Sequence, residues 1–192
     1  MNRYRLVDYD AAPADVRDLY DDYLRSTGST SVPIWVRSLG ASPDLLRAYW
    51  ERTKGSLLRG SLPLLLKEMV IFVVSVENGS RYCSAAHAHA VLSLDKTLTF
   101  ENLSTLTGFG DTSLDLPQSF RAALDFAILA TRDANAVPDA AFEALEDADF
   151  SRAEIHELQA VIDLAKMFNS YTSSLRLPID ADYRPVLEPL AS

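Results

Sequence analysis

A nearly all-apolar segment in the middle of this 192-residue sequence is followed, after a short polar turn, by an alanine-rich segment. Leu64 to Val74 carries apolar residues almost all the way round a helical wheel, which is typical of a fully buried helix. A buried strand over Val70 to Val76 fits part of this run, but the leucine-rich beginning and the length favour a helix. Tyr82 to Leu92 is rich in alanine, the best helix former. The two segments therefore predict a central pair of helices joined at Asn78-Gly79-Ser80.

Further helices are predicted on both sides of this pair from apolar residues at three- and four-residue spacing. Ser42-Pro43-Asp44 is a start signal with proline in the first helical position, and Ser151-Arg152-Ala153-Glu154 has the Ser-x-x-Glu pattern of a capping box. The expected segments are 13–24, 43–58, 98–109 (ended by Gly108-Phe109-Gly110), 119–131, a short helix opened by Pro138, and a long helix after Ser151. No linker or repeat divides the chain, so we predict an all-α single domain over residues 1–192.

The composition disfavours several classes of protein. With 48% apolar and 23% charged residues the chain is globular, and its net charge of −9 disfavours binding to a nucleic-acid backbone. The longest uninterrupted apolar run, Met69 to Val74, has six residues, whereas a membrane span needs about 20. Asp8 and Asp10 stand where a secretory signal would have an apolar stretch. We therefore expect a cytoplasmic protein that binds neither nucleic acid nor a membrane.

Cys83 and His87 lie four residues apart on the predicted second central helix, so their side chains share a face. Cys83 falls in the first turn, where free backbone N–H groups and the helix dipole favour a thiolate, so we expect a lowered thiol pKa. Glu68 interrupts the apolar run of the preceding helix, and a carboxylate in such surroundings needs a partner. We predict that antiparallel packing brings Glu68 to His87, and that His87 accepts the thiol proton.

These residues also have simpler interpretations. Cys83, the only cysteine, fits a small buried apolar residue and has no partner for an intramolecular disulfide. Ser80 fits a helix N-cap without any chemistry.

His89 lies about 200° around the helix from His87, so we expect it to be exposed or at an interface. This spacing does not suit a metal site on a helix. Trp35 and Trp50 are expected in the core or an interface rather than in a ligand site.

The spacing of these residues resembles a family motif. Glu68, eleven residues, Ser80-Arg81-Tyr82-Cys83, three residues and His87 is similar to the motif of the alkylhydroperoxidase D (AhpD)-like, carboxymuconolactone decarboxylase superfamily, which is Glu, eleven residues, Cys-x-x-Cys, three residues, His. The helix after Ser151 resembles the closing helix of the peroxidase-related branch. The resemblance covers about residues 15–180. It implies an all-α AhpD-like fold, a homo-oligomer commonly built from trimers, and no metal or organic cofactor.

Ser80 replaces the first cysteine of the motif. In the family, the paired cysteines reduce a hydroperoxide and close to a disulfide that a partner then reduces. Here the resemblance implies a peroxidase in which Cys83 reacts with the hydroperoxide, His87 is the base, and Glu68 orients His87. Ser80 would then be a hydrogen-bond donor, and an external thiol would reduce the oxidised Cys83.

Two other functions remain open from the sequence. One is a cofactor-free lyase or hydrolase in which Glu68 and His87 move protons on a small acidic or lactone substrate. The other is a catalytically inactive oligomeric or ligand-binding protein that keeps the site as a buried polar network.

Overall fold

The computed structural model of the chain describes residues 3–107 and 114–186. Within these ranges the chain is helical and has no β-strand, so the all-α prediction is confirmed. The α-helices are α1 (Ala14–Thr27), α2 (Ile34–Leu39), α3 (Pro43–Thr53), α4 (Leu64–Glu77), α5 (Arg81–Leu94), α6 (Phe100–Ser104), α7 (Gln118–Arg132), α8 (Asp139–Asp147) and α9 (Arg152–Leu175). In the same ranges, no helix is both long and apolar enough to cross a membrane.

The predicted central pair is α4 and α5. Every residue from Leu66 to Ser75 in α4 is buried, because this helix contacts α5, α7 and α9. Burial on all sides explains why its apolar residues follow no single face. Gly79, with a φ of 65°, turns the chain between the two helices in a conformation that costs glycine little.

Two helices end earlier than the sequence predicts, whereas α1 continues to Thr27 instead of ending at residue 24. The helix predicted over 43–58 is α3 followed by a π-helical turn, Lys54–Leu58. The helix predicted over 98–109 is the shorter α6 followed by a 3-10 turn, Thr105–Thr107; its predicted end at 108–110 lies outside the described residues. The capping box before α9 is present, since the Ser151 hydroxyl accepts from the Glu154 N–H and the Glu154 carboxylate accepts from the Ser151 N–H.

A buried ion pair holds the start of α4 against α9. Lys67, whose side chain is 2% exposed, donates from Nζ to Oε1 of Glu157 at 2.5 Å and also to the Arg59 carbonyl. The Glu157 carboxylate further accepts the backbone N–H groups of Ser61 at 2.9 Å and Leu62 at 3.1 Å. These bonds satisfy amide groups of the loop before α4, which would otherwise be partly buried without acceptors.

The C-terminal segment of the described chain returns over α5. The Asp180 carboxylate accepts the Tyr82 hydroxyl at 2.6 Å and the Ile34 N–H at 3.0 Å, which links this segment to α5 and α2. A 3-10 turn, Ala181–Val186, then packs against α5. Its Tyr183 ring lies against the His89 ring, with centroids 5.4 Å apart.

Candidate active site

Glu68 and His87 form the polar centre of the helix pair. Oε2 of Glu68 lies 2.5 Å from Nδ1 of His87, and their side chains are 9% and 20% exposed. A carboxylate only accepts hydrogen bonds, so Nδ1 donates and Nε2 is not used by this contact. The contact that the sequence predicted is therefore present, and it compensates the cost of burying the Glu68 charge.

Cys83 is placed differently from the sequence prediction. Cys83 is 3% exposed. Among the described residues, its Sγ lies within hydrogen-bonding distance of Oγ1 of Thr172, at 3.4 Å, and not of His87. Burial raises the pKa of the Cys83 thiol above its ordinary value of 9.0, outweighing the opposite effect of the Thr172 and Ser80 hydroxyls. The expected lowering of this pKa by the helix N-terminus is wrong, because loss of water outweighs the dipole at a buried sulfur.

Three hydroxyl groups form a connected row that ends at this sulfur. The Ser173 hydroxyl donates to Ser80 at 3.3 Å, and the Ser80 and Thr172 hydroxyl oxygens are 3.4 Å apart. Thr172 donates its own hydrogen to the Phe168 carbonyl at 2.8 Å. Ser80 is the N-cap residue of α5, as the simpler interpretation predicted, but its side chain forms no capping bond with any described residue and belongs to this row instead.

Thr172 is a residue that the sequence interpretation missed. It is 1% exposed and lies 89 positions from Cys83. Its hydrogen is donated to a carbonyl while the thiol is protonated, so its oxygen accepts the S–H. When the sulfur loses its proton, rotation about one bond turns the Thr172 hydrogen towards the negative charge. The sequence signal that could have identified Thr172 is its position as a polar residue on the buried face of α9.

Thr172→Val tests this contact, because valine keeps the shape of threonine and removes the hydroxyl. We expect Cys83 to react with iodoacetamide about tenfold more slowly near neutral pH, since a hydrogen bond to a charged group is worth about 1.5–3 kcal/mol. The measurement is the alkylation rate against pH, followed by intact mass. Thr172→Ser is the matched control and should keep most of the rate. Equal profiles for the wild-type and valine proteins would contradict the assigned role.

A cavity of about 570 Å³ brings together three of the predicted site residues, whereas the fourth, Ser80, is buried beside it and does not line it. Cys83, His87 and Glu68 all line it. The walls come from distant parts of the chain: the end of α1 and the loop 28–31 after it, helices α2 to α5 and α9, and the C-terminal segment. Volumes of 300–1,000 Å³ are usual for small-molecule sites. Among the described residues, no group of three histidine, cysteine or acidic side chains is arranged to hold a metal ion.

Other residues line this cavity against expectation. His89 is half-buried rather than exposed, because Tyr183 covers it, and it faces the same cavity as His87. Trp35 and Trp50 belong to the aromatic core around α1 and α3, as predicted, but both also form cavity wall. The cavity extends over more than one face of α5, so His87 and His89 both line it although a helical wheel places them on different faces.

The middle of the chain matches a known family. Residues 43–103, which include Glu68, Cys83 and His87, match the model of the carboxymuconolactone decarboxylase family. Over these residues the chain is similar to the carboxymuconolactone decarboxylase family. This domain match runs from the start of α3 into α6 and so contains the whole central helix pair. No curated protein matches the chain by sequence.

Solved structures similar to the chain extend the likeness beyond this domain. A peroxidase-related protein with an alkylhydroperoxidase AhpD core from Ralstonia eutropha has 23% identity and a TM-score of 0.81, over 94% of this chain and 93% of that one. A peroxidase-related protein from a Silicibacter species has 24% identity and a TM-score of 0.79, over 95% of both chains. A cysteine-to-alanine variant of the debrominase Bmp8, in complex with 2,3,4-tribromopyrrole, has 20% identity and a TM-score of 0.80, over 99% of this chain and 97% of that one. At these identities the structures establish the fold, which is AhpD-like.

Proposed function

We propose that the protein is a thiol oxidoreductase that reduces an organic hydroperoxide through Cys83. The observation that carries the proposal is that Cys83, His87 and Glu68 line one cavity. The family match covers these three residues. Two structural neighbours, both peroxidase-related proteins, support the same class of chemistry.

In the first step the Cys83 sulfur attacks the terminal oxygen of the hydroperoxide. The new S–O bond forms as the O–O bond breaks, the peroxide is reduced to an alcohol, and Cys83 becomes a sulfenic acid. The thiol is mostly protonated at neutral pH, so a base has to take its proton during the attack. His87 takes it at Nε2, directly or through one water, and returns it to the departing alkoxide. Glu68 holds Nδ1 and stabilises the imidazolium.

The second step needs a thiol from outside the chain, because Ser80 stands where the family has its first cysteine. The external thiol attacks the sulfenic acid and releases water, which leaves a mixed disulfide on Cys83. A second external thiol attacks that disulfide and regenerates the Cys83 thiol. We also propose a homo-oligomer built from trimers, as the family resemblance implies.

Oxidation of the wild-type protein by cumene hydroperoxide, with dimedone as sulfenic-acid trap, tests the proposal. We expect one dimedone adduct per chain, on Cys83, with a rate that rises with pH and falls about 100-fold in His87→Ala, which removes general-base assistance. Intact mass and peptide mapping give the adduct and its position. Oxidation no faster than that of a free thiol, and unchanged in His87→Ala, would contradict the proposal and favour an inactive binding protein.

A second candidate function is cofactor-free proton transfer by Glu68 and His87 on an organic substrate. The specific observation in its favour is that this pair is complete without the thiol, whose hydrogen bond goes to Thr172. An aromatic occupant suits either candidate, because a neighbour of this fold binds a brominated pyrrole. Replacement of Cys83 separates the two candidates, because proton transfer by Glu68 and His87 does not need the thiol.

A further inference from the structure

We propose that the cavity selects an uncharged organic molecule with an aromatic or similarly bulky apolar group, and discriminates against anions. The proposal rests on the proposed function in taking this cavity as the substrate site. It deepens that function by assigning the charge and the shape of the substrate.

Aromatic side chains form much of the wall near the thiol. The Trp35 and Phe168 rings meet edge to face with centroids 4.8 Å apart, and Cys83 belongs to the apolar cluster that these rings pack against. Tyr23 extends the wall by ring contacts with Trp35 at 5.9 Å and Trp50 at 5.2 Å. Such a wall gains most from a flat or bulky apolar group, since aromatic pairs add attraction beyond the buried area.

The charges on the wall are acidic or balanced. Of the described residues that line the cavity, none is a lysine or an arginine; the ionisable side chains are Glu68, Asp182, His87, His89, Cys83 and three tyrosines, Tyr23, Tyr82 and Tyr183. Any positive charge on His87 is balanced by the Glu68 carboxylate bonded to it. A carboxylate ligand would therefore lose its water without gaining a cationic partner, which is strongly unfavourable.

The composition of the wall favours some of the substrates that the sequence left open over others. A small acidic substrate, which the lyase alternative allowed, does not suit the wall, whereas a neutral lactone or a neutral hydroperoxide does. A cationic substrate does not suit it either, because Glu68 is already bonded to His87 and the exposed Asp182 is screened by water.

Three unreactive compounds of one shape test the selection: methyl para-isopropylbenzoate, para-isopropylbenzoate and para-isopropylbenzylamine. Binding is read from tryptophan fluorescence, since the chain has two tryptophans and both line the cavity. We expect the ester to bind at least about tenfold more tightly than the carboxylate and the amine. Equal or tighter binding of either charged compound, or no binding of the ester, would overturn the proposal.

A matched pair of variants at the cavity mouth tests whether charge is the cause. Ser93 is exposed, lies in the last turn of α5 and borders the cavity. In Ser93→Lys the ratio of carboxylate Kd to ester Kd should be about fivefold smaller than in Ser93→Gln, a neutral side chain of similar length. An unchanged ratio would overturn the proposal. Failure of the hydroperoxide reaction would not affect this result, because the three compounds report binding alone.

Discussion

Cys83→Ser should abolish the consumption of organic hydroperoxides, with a loss of more than about a thousandfold, because a hydroxyl cannot replace the sulfur as the atom that is oxidised. The measurement is hydroperoxide remaining over time in the presence of excess external thiol. The serine hydroxyl can keep a bond to Thr172, so the fold and the Glu68–His87 contact should persist. Circular dichroism and thermal unfolding check this point. Consumption that continued in Cys83→Ser would contradict the assignment of the thiol.

The same variant separates the two candidate functions. If proton transfer by Glu68 and His87 is the activity, Cys83→Ser should retain most of the turnover of a neutral lactone, while Glu68→Gln should lose it by about 100-fold. If thiol oxidation is the activity, Glu68→Gln should slow the formation of the Cys83 dimedone adduct instead. Glu68→Gln is therefore expected to lower either activity, and Cys83→Ser is the variant that distinguishes the two functions.

Glu157→Gln should lower the free energy of unfolding by about 3–5 kcal/mol, because it leaves the Lys67 ammonium buried without a counter-charge. Urea unfolding followed by circular dichroism measures the loss. Arg132→Gln is the matched control, since it breaks an ion pair with Glu77 in which the arginine is 52% exposed; its cost should stay under about 1 kcal/mol. Equal losses for the two variants would contradict the importance of burial.

The contact between Lys67 and Glu157 should also make the stability of the protein depend on pH. Burial alone would raise the pKa of Glu157, but hydrogen bonds from Lys67 and from the Ser61 and Leu62 amides outweigh it and hold the pKa below its usual value of 4.5. A carboxyl with a lowered pKa in the folded state adds stability above its unfolded pKa and loses it as the pH falls through the folded pKa. The wild-type protein should thus lose stability more steeply than Glu157→Gln below about pH 4.5.

The part of the site that the sequence predicted depends on local spacing. Glu68 and His87 lie on helices joined by a short turn, so apolar periodicity and one carboxylate in an apolar run were enough to bring them together. The helices themselves were also predicted from local spacing, that is, from the periodicity of their apolar residues. The capping signals at Ser42 and Ser151 come directly before α3 and α9.

The parts that the sequence did not predict depend on packing between distant segments. Thr172 meets Cys83 across 89 positions, and the pKa of the thiol follows from the burial that this packing produces. His89 is covered by Tyr183, which comes from the end of the described chain. A helix wheel gives the direction of a side chain relative to its own helix and contains no information on what covers it.

In the proposed cycle, the hydroxyl of Ser80 in place of a second thiol would change the kinetic order of the step that resolves the sulfenic acid. Two thiols on one helix meet at a very high effective concentration, so disulfide closure does not depend on the surroundings. With Cys83 as the only cysteine, resolution of the sulfenic acid would itself be a bimolecular reaction, and its rate would be proportional to the concentration of free thiol around the protein. The fraction of chains held in the oxidised form would therefore rise as that thiol is depleted.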